Sequence, residues 1–177
     1  MPSDLICFCL SQVCSKLYPI FIFDGTSAGT TTIGYNRMRY LLDCLRDLDE
    51  QFSEYCGHLY VFHGDSTQVL GRLFKQWSIS HLSFEQDPEP IWKERDDSVR
   101  KLCIEMRVEV IEKVSHTLWD PKKVIATNGG QPPLNYEMFC HTVEVIGPPD
   151  KPLPKPDFNQ LCVELPIGKY KSKSRPI

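Results

Sequence analysis

No run of the sequence is long and apolar enough to cross a bilayer, which takes ~20 residues; the apolar stretch at residues 5–10 has six. That stretch also lacks the basic start and small-residue cleavage site of a signal peptide, and Asp4 precedes it. Cytoplasm and nucleus are the expected compartments, with no membrane partner. An excess of one charge is missing too, since 20 Lys and Arg stand against 23 Asp and Glu for a formal net charge of −3. No global field draws the chain onto a polyanion, so DNA is not an expected partner. The eight cysteines include no CxxC pair, and the cluster Cys7, Cys9 and Cys14 has no HxxxH complement, so no metal is expected. Cys44, Cys103 and Cys140 fall on helix faces expected to be buried, where a thiol packs as a small apolar group in a reducing compartment. GxGxxG, Walker and GxSxG motifs are absent as well. Without them the sequence nominates no catalytic residue.

What the sequence holds is alternation. With 177 residues, 41% hydrophobic and 24% charged, it fits one globular domain with tails. Residues 18–23 form a continuous aromatic and β-branched run that stops at Asp24-Gly25, the pattern of a buried strand. Tyr35, Met38, Leu41, Leu42, Leu45, Leu48 and Phe52 then recur at helical spacing among charges. A strand at residues 59–62 leads to Asp65 or Ser66, either able to cap a helix whose inner face is Val69, Leu70, Leu73, Phe74 and Trp77. A third strand at 79–84 and an acidic, proline-bearing loop at 85–90 precede a helix marked by Val99, Leu102, Cys103 and Met106. Residues 108–114 read as a fourth strand. Asp120-Pro121 starts a helix ended by Asn128-Gly129-Gly130, and a last helix uses Tyr136, Phe139, Cys140 and Val143 up to Gly147-Pro148. Such alternation predicts an α/β doubly wound, Rossmann-like domain with a parallel sheet.

Seven of the fourteen prolines lie beyond residue 147, so 148–177 reads as a Pro-rich linker. Its basic end, Lys169, Lys171, Lys173 and Arg175, reads as a solvated tail rather than an import signal. Ser27-Ala28-Gly29-Thr30 exposes amides after the first strand but reads as a plain loop. Glu94-Arg95-Asp96 fits a solvated turn near a helix start, with the arginine able to bridge to another element. His63, His81 and His116 stand apart, which points to ordinary hydrogen bonding rather than a shared site. Trp77 reads as core, and Trp92 and Trp119 as loop-edge packing.

Five segments carry a resemblance: Phe21-Ile22-Phe23-Asp24-Gly25, Gly34-Tyr35-Asn36-Arg37-Met38-Arg39, residues 85–96, Ser115-His116-Thr117-Leu118-Trp119-Asp120-Pro121, and residues 128–136. In order and spacing, over residues 19–146, they resemble the cryptochrome and DNA photolyase superfamily. Glu-Gln-Asp-Pro-Glu-Pro-Ile-Trp and His-Thr-Leu-Trp-Asp-Pro are most similar to insect light-sensing cryptochromes, with (6-4) photolyases and vertebrate-type cryptochromes next. The resemblance implies a blue-light flavoprotein whose α/β domain is the present chain and whose separate helical domain binds FAD. In antenna-bearing photolyases a pterin or deazaflavin sits on the α/β domain, with a glutamate matching Glu94 among its contacts. Lys93 stands where some photolyases have asparagine. Animal cryptochromes generally leave that site unused, so Lys93 and Glu94 are vestigial antenna contacts in this reading and no antenna pigment is expected.

The implied function is a fragment of a cryptochrome photoreceptor in light or circadian signalling, without enzymatic activity or FAD of its own, binding clock or light-signalling proteins. The alternatives are a fragment of a (6-4) DNA photolyase, which is a light-driven repair lyase, and a stand-alone nucleotide- or flavin-binding electron-transfer protein. The missing glycine-rich phosphate loop counts against the last. On this basis the chain divides into a divergent segment at 1–17, a partial α/β domain at 18–147 and the linker and tail at 148–177. The family opens with a central strand, a Trp-Phe-Arg motif and a helix that residues 1–17 do not show. Residues 5–10 are strand-like, but about seven residues separate them from Tyr18, and a parallel crossover needs ~10–12. A truncated or mis-spliced product with an open sheet edge is therefore expected, marginally stable and prone to associate.

Overall fold

A computed structural model describes residues 16–25, 32–54, 57–87, 89–114, 117–149 and 151. The first apolar run becomes β1 (Ile20–Phe23), followed by α1 (Tyr35–Ser53), β2 (Tyr60–His63), α2 (Ser66–Trp77), β3 (His81–Glu85), α3 (Pro90–Met106), β4 (Glu109–Lys113), α4 (Pro121–Thr127) and α5 (Tyr136–Ile146). Local chemistry sets the helix ends. Asp65 accepts the Gln68 N–H to open α2, Asp120 accepts the Lys122 N–H to open α4, and Asn135 accepts the Met138 N–H to open α5. Ser78 and Arg107 close α2 and α3 in the left-handed conformation, at φ 52° and 57°.

All strand pairing among the described residues is parallel. β1 pairs with β2 from Ile20 opposite Tyr60 to Phe23 opposite His63. β3 pairs with β4 from His81 opposite Glu109 to Glu85 opposite Lys113. A helix between consecutive strands gives the chain length a parallel return requires. The pairs form two separate two-stranded sheets. Both rest on one core, built from Leu70 and Phe74 of α2, Val99 and Cys103 of α3, and Val108. Ile20 and Ile22 of β1, Leu82 and Phe84 of β3, and Val110 of β4 pack against it, whereas β2 contributes nothing to it. Among the described residues no ladder joins β1 and β2 to β3 and β4.

Four side chains, Cys44, Cys140, Tyr136 and Trp77, depart from the sequence reading. Cys44 is exposed, because it lies about 100° round α1 from Leu45 and so off the apolar stripe. Cys140 is half-buried and Cys103 fully buried. Tyr136 is 80% exposed; it opens α5, an eleven-residue helix packed on α4, which has seven. The inward residue of α5 is Thr142, whose hydroxyl donates to the Met138 carbonyl at 2.7 Å. Trp77 is half-buried among Tyr18, Tyr60 and Phe62, with ring centroids 4.8, 5.1 and 6.0 Å away. Cys7, Cys9, Cys14, residues 5–10, Ser27 to Thr30, His116 and the basic tail lie outside the described residues.

Candidate functional site

Open α/β sheets bind ligands beyond the carboxyl ends of their strands, so the site is built from those ends. β1 runs into Asp24 and Gly25, and β2 into Gly64, which holds φ 132° and donates its N–H to the Phe23 carbonyl at 3.0 Å. A Cβ at that φ is strained, which is why glycine stands there. Asp65 follows. The Thr67 hydroxyl and then the Gln68 amide hold its carboxyl below the usual range, so it is an ionised helix cap rather than a proton donor. Ser66 Oγ reaches Asp24 Oδ2 at 3.4 Å and ties the first two strand ends together.

The end of β3 carries the acidic loop into α3. Asp87 accepts the Glu89 N–H at 3.0 Å, and Glu89 Oε2 accepts the Trp92 indole N–H at 3.0 Å. The Arg95 guanidinium lies 5.2 Å from the centre of the Trp92 ring and donates through Nε and Nη2 to Asp96 Oδ1 at 3.0 and 2.7 Å. Asp96 is only 2% exposed, which corrects the reading of a solvated turn. Asp96, Val99 and Cys103 stand at i, i+3 and i+7, so helical period puts all three on the inward face of α3. Asp96 Oδ2 is buried without a hydrogen-bond partner.

Lys93 and Glu94 are exposed on α3. Two surface depressions lie elsewhere. One of about 530 Å³ is lined by Thr67, Gln68, Gly71, Arg72, Lys75 and Gln76 of α2, and one of about 290 Å³ by residues of α1. Each is lined by a single helix, so neither encloses a small molecule. The histidines stay apart: His81 Nδ1 pairs with Ser80 Oγ at 2.8 Å and its Nε2 faces Glu109 at 3.3 Å, while His63 ends β2. Trp119 donates its indole N–H to the Gly147 carbonyl at 2.9 Å and meets Phe139 edge to face. Among the described residues no group of three or more His, Cys, Asp or Glu is placed to hold a metal, and no helix is long and apolar enough to cross a membrane.

Sequence reasoning missed one contact that fixes this end of the fold. Arg100 forks onto Glu112, Nε to Oε1 at 2.6 Å and Nη2 to Oε2 at 2.8 Å, and its Nη1 also meets Asp97. The fork pins α3 to β4, holds the Glu112 carboxyl below its ordinary value and pushes the guanidinium higher still. The carboxyl ends of the strands carry Asp24, Asp65, Glu85, Asp87 and Glu89 in the chain that leaves them, against Lys113, which ends β4 opposite Glu85. Acidic residues outnumber basic ones there, the reverse of what a nucleotide cradle supplies.

The sequence model of the DNA photolyase family matches residues 11–157. The chain belongs to the DNA photolyase family. Within it, the chain is similar to Cryptochrome-1 of Aedes aegypti, 58% identical over 143 residues, which are 81% of this chain and 26% of that protein. Cryptochrome-1 of Anopheles gambiae is 58% identical over 155 residues, 88% of this chain and 28% of that one. Cryptochrome-1 of Gallus gallus is 44% identical over 145 residues, 81% and 23%. Both insect proteins exceed the vertebrate one, as the motifs led us to expect. The chain spans about a quarter of the length of these relatives. Among solved structures, a class III photolyase from Agrobacterium tumefaciens superposes with TM-score 0.70 at 20% identity, over 88% of this chain and 34% of that one. The Sulfolobus tokodaii photolyase, solved with two FAD molecules, gives 0.61 at 19%, over 82% and 32%. These likenesses are of fold, and they bear out the photolyase α/β domain.

Proposed function

We propose that the chain is the α/β portion of an insect-type, blue-light cryptochrome photoreceptor, and that it acts in light or circadian signalling by binding clock or signalling proteins in cytoplasm and nucleus. The observation that carries this reading is the 58% identity to insect Cryptochrome-1 over 81–88% of the chain. In this reading residues 18–147 are the α/β unit, 1–17 a divergent segment and 148–177 a linker with a basic tail. The chain performs no catalysis and does not engage DNA. FAD belongs to another part of the parent protein, so this chain alone does not hold it; the carboxylates at the strand ends support that by opposing a pyrophosphate. Lys93 and Glu94 are vestigial antenna contacts, in keeping with their exposure on one helix face.

An absorption spectrum between roughly 300 and 550 nm tests the reading, taken on the purified chain before and after excess FAD is added and the unbound part removed. A flat spectrum both times is expected. Retained flavin or pterin absorbance overturns it in favour of a chain that binds cofactor by itself.

A further inference from the structure

α1 and α2 turn opposite charges to solvent. α2 carries Arg72 and Lys75 and no acid, and neither cation takes part in an ion pair among the described residues. Both border the depression of about 530 Å³ that runs along α2 from Thr67 to Gln76. Gly71 keeps its floor low over Leu102 and Met106 of α3. A Cβ there would meet only ordinary contact distances, so packing on α3 does not require the glycine, although it weakens the helix interior. The depression is open along its length and so suits a ridge of side chains from another helix. α1 has the complement. From Asp47 to its last residue it holds Asp47, Asp49 and Glu50 and no base, which sets acid against the negative end of the helix dipole. Asp49 is used within the fold, where it accepts the Leu59 N–H at 2.7 Å. Asp47 and Glu50 are exposed, and Oδ2 of Asp47 accepts from its own neighbour Gln51. Tyr40, 72% exposed, stands seven residues before Asp47 and so projects from the same face, about 10.5 Å away along the axis. The same seven residues separate Gln68, in the wall of the depression, from Lys75.

We propose that the chain binds a second copy of itself head to tail: α1 of one copy lies parallel on α2 of the next, with the Tyr40 ring seated beside Gly71 and Asp47 meeting Lys75 and Arg72. Equal spacing on the two helices lets the ring and the charge engage together, and Glu50 adds to the field that draws the cations. No residue of α1 belongs to the core shared by α2 and α3, so the inserting and receiving faces are separate surfaces of one chain. A contact between two different faces is heterologous, and each copy that joins leaves one face of each kind open. One helix on one helix is a small interface, so association sets in only at about 0.1–1 mM chain and is weakened by salt. The contact needs no signalling partner.

Sedimentation of the full chain up to about 1 mM tests this, with two variants checked for folding by circular dichroism. Arg72→Gln with Lys75→Gln removes the receiving face, and Tyr40→Ser with Asp47→Asn removes the inserting face. The native chain is expected to grow past a dimer as concentration rises and to return to monomer in about 0.5 M salt. Each variant alone should stay monomeric. Mixed, the two keep one complementary pair of faces and should form a dimer of one of each that grows no further. If a variant does not fold, the native chain decides by carbodiimide coupling between isotopically labelled and unlabelled copies, where an Asp47 to Lys75 amide is expected in the mass spectrum. A native chain that stays monomeric throughout, or whose association salt leaves unchanged, overturns the proposal. So does association that both variants retain, as pairing of strand edges would give, a mixture of variants that stays monomeric, or coupling between copies that omits Asp47 and Lys75.

Discussion

Glu112 and Asp96 both meet arginines, yet they differ in what the meeting achieves. Glu112 takes a two-pronged fork across from α3 to β4, and both of its oxygens are used. Asp96 takes both prongs of its own neighbour on one oxygen and leaves the other empty. Neither outcome was legible in the sequence. Arg100 and Glu112 are twelve residues apart and meet only through the packing of helix on strand, while Asp96 reads as surface because Arg95 and Asp97 flank it. Helical phase decides its burial, and that phase is fixed by where α3 begins. Glu112→Gln is expected to cost about 1.5–3 kcal/mol at neutral pH, measured by urea unfolding, as a hydrogen bond to a charged group is lost. The pH dependence has a definite sign. The folded carboxyl of Glu112 lies below its ordinary value of 4.5. Its contribution is therefore complete above that value and is lost as pH falls through the lower, folded one. Native protein and variant should converge in acid, and a gap that persists there would mean that the fork contributes through packing instead.

At the scale of elements, the sequence was most legible where chemistry is local. Asp120 caps the helix it was expected to cap, Asp65 rather than Ser66 caps α2, and Val69, Leu70, Leu73 and Phe74 are buried together on α2. Inner faces failed where a helix outruns its support, as at Tyr136, or where a cysteine was credited with the stripe beside it, as at Cys44. α2 also carries Gly71 in its interior, facing α3. A Cβ built there meets Leu102 Cδ1 at 3.5 Å, Leu102 Cδ2 at 3.8 Å and Met106 Sδ at 3.9 Å, all ordinary contact distances. The helix therefore bears the cost of glycine without a steric need for it. Gly71→Ala is expected to raise unfolding stability by about 0.5–1 kcal/mol. Leu73→Ala, two residues on and 2% exposed, should lower it by about 2–5 kcal/mol. Denaturant midpoints of the two variants check both signs at once, and a destabilising alanine at 71 would show that α2 and α3 approach more closely than these distances allow.

For the whole molecule, class and family were legible while the pairing of strands was not, because strand neighbours are set by contacts between residues far apart in sequence. Among the described residues the two strand pairs are joined through α2, α3 and the shared core rather than by a continuous ladder, so stability concentrates in that middle layer. α1 buries Phe52 alone among nineteen residues, and α2 buries four of twelve. Tyr35 and Tyr40 are largely exposed on α1, as are Leu134 and Tyr136 at the start of α5. A helix with little buried apolar area opens locally without waiting for global unfolding. Native-state hydrogen exchange should therefore divide the chain, with amides of α1 exchanging at least about tenfold faster than interior amides of α2 and α3. The order follows from burial rather than helix length, since α1 is the longest helix described and by length alone should be the slowest. Uniform protection across all three helices would mean that α1 is covered by something in solution, and the exposed aromatic residues of α1 would then be the place to look for it.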